Sequence, residues 1–406
     1  MSHLYLLGVA TLTLTSAGFA GSDTNADLQN RIDAAVEARI AELTVGTNNN
    51  WLNDARSDEI RGLVHDVLAD ADTRASLQGS GSNAGYNDGF TVASSDGNWS
   101  LKMNGLLQTS WSNVDDEVND TDGWGFNAGN TWMNFSGTIA GDYSYDVRYN
   151  WAGSAISGVE VDDAGEVTID RTSTGKLEWA NVSFAVGDGW GLTMGTQKDA
   201  SSRMALIDDQ NQLGIDDEVY TVKNGATLDY TSDQMRAWLQ LFNNNGDGGG
   251  NDGQYDWNIR AEYMVEGNWG QFDQFTSADG GSAGTLLGFS YTSVNSNGIT
   301  DGDSVWTLDA QMQFGGSNLY VSYSENNDDD ADDTDTLYVA YGIYLNADWE
   351  AYAQYTDESE RDDPLWVIGV NNYWAGQNAR WSTELHMNED NNGDTTTITT
   401  QLQFYF

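Results

Sequence analysis

Asp146 and Arg148, Arg260 and Glu262, and Glu384 and His386 each stand two residues apart in the chain. On a strand, residues i and i+2 share a face. Each pair is therefore placed to bridge to its neighbours, to carry charge into a water-filled space, or to act as acid and base. Ser382 precedes His386 by four residues, which superficially resembles a nucleophile with its base. A two-residue step along a strand covers about 6–7 Å, so Ser382 and His386 cannot hydrogen-bond directly. The other histidines are His3 and His65, and no constellation for catalysis remains, so the chain is not expected to be an enzyme. The chemistry open to these side chains is electrostatic.

Two-sided strands are what would position such residues. From Phe90 onward the hydropathy alternates with period two, and sixteen candidate strands can be counted: 99–111, 131–139, 143–151, 176–186, 191–198, 225–230, 234–242, 255–264, 284–292, 305–314, 318–324, 336–344, 349–355, 365–373, 379–387 and 395–406. In the last of these, Ile398, Leu402, Phe404 and Phe406 point one way, and Thr397, Thr399, Gln401, Gln403 and Tyr405 the other. Such a strand suits a wall between lipid and water, and Phe406 is expected at its periplasmic rim. The turns 140–142, 187–189, 231–233, 315–317, 346–348 and 375–377 are short and fall on one side. Connections such as 152–175, 199–224 and 243–254 are long, polar and on the other. Short periplasmic turns and long external loops are the pattern of outer-membrane barrels. Segment 265–283 breaks it, so it is either a periplasmic excursion or a miscount by two strands.

Composition agrees. Of 406 residues, 16 are Trp, 19 Tyr, 45 Gly and none Cys, and the formal net charge is −47. Disordered chains lack this aromatic content and β-branched alternation, whereas a barrel wall uses Trp and Tyr at its rims. No run beyond the first twenty residues reaches the roughly 18 apolar residues of a membrane helix, so any spanning structure must be a closed barrel. The sign of the charge excludes nucleic acid as a partner.

The expected fold class is all-β: a 16-stranded antiparallel transmembrane β-barrel preceded by a short α-helical periplasmic segment. Residues 1–20 read as a signal peptide ending at Gly18-Phe19-Ala20, although no Lys or Arg precedes the apolar stretch. Residues 21–88 are expected to be helical. Leu28, Ile32, Val36, Ile40 and Leu43 follow coiled-coil spacing, and Ile60, Leu63, Val64, Val67, Leu68 and Ala71 form a second apolar stripe. A helix under three heptads long gains its stability from partners, either in a trimer or packed beneath the barrel. Residues 89–406 form the barrel.

Alternation assigns Lys102, Asp146, Arg148, Arg236, Asp256, Arg260, Glu262, Asp309, Glu350 and Glu384 to the inward face as pore-lining residues. Acids outnumber bases among them, which predicts a weak preference for cations or neutral solutes. Lys102, Arg148 and Arg236 are candidates for an anion-attracting patch. The external run carrying Asp328, Asp329, Asp330, Asp332 and Asp333 offers oxygen ligands to loop-bound Ca2+ or Mg2+, though its spacing is not that of an EF-hand. A solvated acidic surface, as in a high-salt habitat, explains the run equally well. No other cofactor is expected.

Phe90-Thr-Val-Ala-Ser-Ser-Asp-Gly-Asn-Trp99-Ser-Leu-Lys-Met-Asn-Gly105 resembles the first barrel strands of the phosphate-selective porin O and P family. Phe135-Ser-Gly-Thr-Ile139 with Gly141-Asp-Tyr-Ser-Tyr145, and Gly195-Thr-Gln-Lys198, are similar to later family segments, and residues 67–77 look like the periplasmic helix of planctomycete members. The resemblance covers residues 57–198, the remainder matching only by pattern. It implies a sixteen-stranded, usually trimeric diffusion porin of the outer membrane, whose partners are membrane lipid and small hydrophilic solutes. It does not imply phosphate, because phosphate selectivity needs a ladder of cationic donors along the lumen, and only eleven Lys and Arg follow residue 90. Asp199-Ala200 also stands where the family pattern has a proline. The alternatives are an anion-selective porin and a plugged structural or adhesive barrel working through its acidic loops.

Overall fold

The computed structural model describes residues 30, 33–38 and 41, which are helical, and then 82–117, 121–151, 154–161, 167–173, 175–215, 220–243, 255–276, 281–296, 303–327, 332–359, 361, 363–388 and 394–406. The expected signal peptide, the apolar stripe of 60–71 and Asp328, Asp329 and Asp330 lie outside the described residues.

Twenty strands follow in chain order: β1 (Ser82–Tyr86), β2 (Phe90–Ser94), β3 (Ser100–Asp116), β4 (Thr121–Ile139), β5 (Tyr143–Asn150), β6 (Ser154–Val161), β7 (Val167–Ser173), β8 (Lys176–Gly187), β9 (Trp190–Lys198) and β10 (Val222–Thr231). The second half comprises β11 (Met235–Asn243), β12 (Tyr255–Glu266), β13 (Ala283–Ser296), β14 (Asp303–Phe314), β15 (Ser317–Asn327), β16 (Thr334–Tyr344), β17 (Trp349–Glu358), β18 (Leu365–Tyr373), β19 (Ala379–Asn388) and β20 (Thr395–Tyr405). The main sheet has 18 strands. Sixteen of them, β3–β5 and β8–β20, pair antiparallel in succession, and β20 returns to β3 from Thr395 opposite Asp116 to Tyr405 opposite Leu106, closing the barrel. Closure leaves these sixteen strands without an unpaired edge, which a sheet in lipid cannot tolerate.

These sixteen are the expected strands, with three differences. Strand β4 begins ten residues before the expected 131, because Thr121–Ala128 continues to pair with the long β3 across a bulge at Leu107/Thr109. Connection 152–175, read as plain loop, contains the separate β6–β7 hairpin. The segment assigned to helix up to residue 88 contains β1, which pairs with β2 and so prolongs the sheet beside the start of β3.

Alternation sorts the wall as its chemistry requires. Leu239, Ile259, Leu287, Phe289, Leu308 and Ile368 are exposed on the outer face. Aromatic pairs mark both margins of that belt. Trp257–Tyr291, Trp306–Tyr323 and Tyr355–Trp366 lie toward the long loops, and Trp190–Tyr230 and Trp374–Phe404 toward the tight turns. An apolar band between two aromatic girdles is the outer surface of a membrane-spanning barrel. The tight turn 140–142 is built on left-handed backbone at Ala140 (φ 53°) and Gly141 (φ 81°), the twist that joins two strands without splaying them.

Candidate pore constriction

The inward face is polar, yet much of it is fully buried. Two connections fold into the barrel and cover it. The first follows β9. Residues 199–215 leave the long-loop end and run across the lumen through a short helix, Arg203–Leu206, capped by Ser202, and a turn at Asp209–Asn211. The second is the exceptional segment after β12, which is an excursion rather than a miscount. It folds at Trp269–Phe272 under a capping box of Asn268 and Gln271. The two meet inside: the Phe275 amide donates to the Asn211 carbonyl at 3.0 Å, and Met204, Ile207, Leu213 and Phe275 form an apolar cluster with Tyr320, Ala340 and Tyr352 of the wall. This cluster explains why so polar a lumen carries an apolar core.

The wall grips the first segment along its whole length. The Ala200 amide donates to Gln240 Oε1 (2.7 Å), and the Arg203 amide to Asp309 Oδ2 (3.0 Å). Trp132 Nε1 donates to Asp209 Oδ2 (2.7 Å). Further round, Gln403 Nε2 reaches the Gln210 carbonyl (3.1 Å), Arg380 Nη1 the Gln212 carbonyl (2.6 Å) and Asn371 Nδ2 the Leu213 carbonyl (2.9 Å). Glu384 accepts from the Ile215 amide. Backbone groups buried away from water must find such partners.

The residues assigned to the inward face by alternation mostly spend their charge on neighbouring side chains. Arg260 sets both guanidinium edges on acids, Nη2 to Glu262 at 2.8 Å and Nη1 to Asp309 at 2.9 Å. Arg203 joins them from the inserted segment, 3.4 Å from Glu262. Glu262, Gly288 and Asp309 face one another across three strands, and the missing side chain at Gly288 makes the room: a Cβ there would lie 2.1 Å from Asp309 Oδ1 and 2.5 Å from Arg260 Nη2. Arg148 lies between two indoles, 3.6 Å from the Trp132 ring and 3.8 Å from Trp179, with Asp208 and Asp209 at 3.5 and 3.6 Å. Trp179 Nε1 in turn donates to Asp146 (2.9 Å). Asp256 holds Lys223 at 2.8 Å, Glu350 accepts from Tyr373 Oη (2.5 Å) and Asn371 (3.1 Å), and Glu384 binds Tyr352 Oη and His386 Nε2, both at 2.8 Å. The three expected members of a basic patch stand apart: Lys102 is on Asp88 (3.4 Å), Arg148 on the aspartates above, and Arg236 over Trp269 (4.2 Å) and near Asp273 (3.9 Å).

Alternation missed Asp208 and Asp273, which sit in connections where no period assigns a face. Both reach water: the Asp208 side chain is 46% exposed and that of Asp273 60%, while Arg148 and Arg203 are 4% and 3% exposed. The low-dielectric surroundings of Asp208 work against its charge, but Arg148 and Lys198 prevail and hold its carboxyl below the usual range. Asp332 and Asp333 are exposed, and no group of three potential ligands gathers around a metal position among the described residues.

Solved porins share this architecture. The anion-selective porin from Comamonas acidovorans superposes with a TM-score of 0.50 over 76% of this chain and 100% of its own, at 12% identity. Two mutants of the Rh. blastica porin superpose over 75% of this chain and 100% of theirs, with TM-scores of 0.50 and 0.51 at 16% and 14% identity. The chain has the porin fold. In sequence, no family model and no curated protein matches it. Within this porin fold the inserted segment 199–215 narrows the lumen against β4, β5 and β17–β20. Above it, toward the long loops, a cavity of about 560 Å³ opens between Ser201, Met204 and Ile215 of the segment and the inner faces of β14–β19.

Proposed function

We propose that the chain is a diffusion porin of an outer membrane that passes small hydrophilic solutes and ions, with a preference for cations. One observation carries the preference. In two ion pairs of the inserted segments, Arg148–Asp208 and Arg203–Asp273, the carboxylate faces water while the arginine is buried. A channel with low-dielectric walls concentrates ions opposite in sign to the charge it exposes. The cations Arg148, Lys198, Arg203, Lys223, Arg236 and Arg260 each have a carboxylate within 4.0 Å. That leaves no free cationic ladder among them to replace the hydration of phosphate, and it supports cation preference over the anion selectivity named for the Comamonas porin.

The test is a planar bilayer. Single-channel steps in KCl, with a reversal potential of cation-selective sign in a salt gradient, are the expected result. A protein that inserts without conducting would leave the plugged-barrel reading, and an anion-selective potential would overturn the preference. A homotrimer belongs to the same reading, and removing residues 22–50 while following mass by light scattering tests the part played by the helical residues 33–38.

A further inference from the structure

The cavity of about 560 Å³ on the long-loop side falls in the size range of small-ligand sites, and its lining is selective in kind. Hydroxyls dominate the wall: Thr307, Ser322, Ser324, Thr336 and Thr356. Deeper in, the Tyr320 side chain is 1% exposed, with its hydroxyl beside Ser322 and the Met204 backbone in the cavity lining. Its ring is fixed between Phe275, at 4.7 Å between centroids, and Tyr338, at 5.9 Å. A hydroxyl held rigidly in a cavity wall offers a fixed polar contact to a ligand.

Among the described residues no Lys or Arg lines the cavity. Its carboxylate and imidazole are both engaged, Glu358 with Arg361 at 2.6 Å and His386 with Glu384 at 2.8 Å. Apolar contacts come from Met204 and Ile215 of the inserted segment and from Val305, Leu365 and Val367 of the wall. Many neutral hydroxyls on one side and an apolar, partly aromatic surface on the other match a molecule with hydroxyls around its edge and C–H groups on its faces.

We propose that this cavity is a binding site for a neutral saccharide of one or a few rings, entered from the long-loop side. The proposal rests on the porin reading and names the solute class of that same passage. A saccharide held above the inserted segment obstructs ions, so binding reads as a block of current.

Glucose, maltose and sucrose are added to the long-loop side of a bilayer holding the full chain, with polyethylene glycol of similar size and the neutral nucleoside uridine as comparisons. The expected result is a saturable block by at least one sugar beyond the fall in bulk conductivity, with polyethylene glycol giving only that fall. Tyr320→Phe and Thr307→Val each remove one hydroxyl with little change of shape, and each is expected to weaken the block about three- to tenfold. A current that falls only with bulk conductivity, a block by uridine in place of sugars, or a block undiminished from wild type in both variants would overturn the site. A protein that carries no current would sink the porin reading alone, since titration calorimetry of the detergent-solubilised protein with the same sugars still reads the site. Heat at millimolar sugar that is lost in Tyr320→Phe upholds it, and no heat overturns it.

Discussion

Asp208 and Asp273 carry the proposed cation preference, since they bring charge into water while Arg148 and Arg203 remain covered. Replacing both by Asn is expected to lower the cation-to-anion permeability ratio by up to roughly fivefold, the factor that about 1 kcal/mol of Coulomb energy in water represents, as read from the reversal potential. The pH dependence has a definite sign. Because the folded pKa of Asp208 is depressed, its pairing stabilises fully above the ordinary carboxylate range and fades only as pH falls through the lowered value. Its share of cation preference should therefore persist at pH 5 and disappear at a lower pH than that of an ordinary exposed carboxylate. A preference halved already at pH 5 would contradict this assignment. Strand parity located Asp146, Arg260, Glu262 and Asp309 on the inner face because every second residue must face that way. It could not tell water from packed protein, and it was silent on Asp208 and Asp273, whose connections have no period.

The inserted segments owe their position to a few buried charges. Arg260→Leu removes the cation shared by Glu262 and Asp309, and breaking a buried pair of this kind costs about 3–5 kcal/mol, to be read as a lower unfolding temperature of the solubilised barrel. Gly288→Val drives a side chain into the space between Asp309 and Arg260 and should loosen the segment with larger, noisier single-channel steps. Unchanged conductance in both variants would show that the clamp does not hold the constriction. The strands themselves were legible because alternation is a local signal. The excursion after β12 was legible only as an irregular length, since its capping box is local but its place inside the barrel depends on contacts with residues far along the chain. The β6–β7 hairpin escaped because its short alternations lie within a long polar connection.

The barrel as a whole is held in lipid by its outer face. Leu308→Arg places a charge on that face, where a basic residue near the midplane costs about 2–4 kcal/mol, and folding yield into vesicles should fall accordingly. Gln401→Arg on the inner face of β20 tests the opposite side of the same wall and should insert with a smaller loss. An equal loss in both would mean that the two faces are wrongly assigned. The grip on the inserted segment adds a condition on how such a wall can be made. The segment hangs from β9, but Gln210 and Gln212 are held by Gln403 and Arg380, on β20 and β19, far later in the chain. Those strands must be in register, with β20 seated against β3, before the constriction has its far support. The narrowing of the lumen and the closure of the wall are therefore coupled: the same step that zips the seam between β20 and β3 also gives the inserted segment its far support.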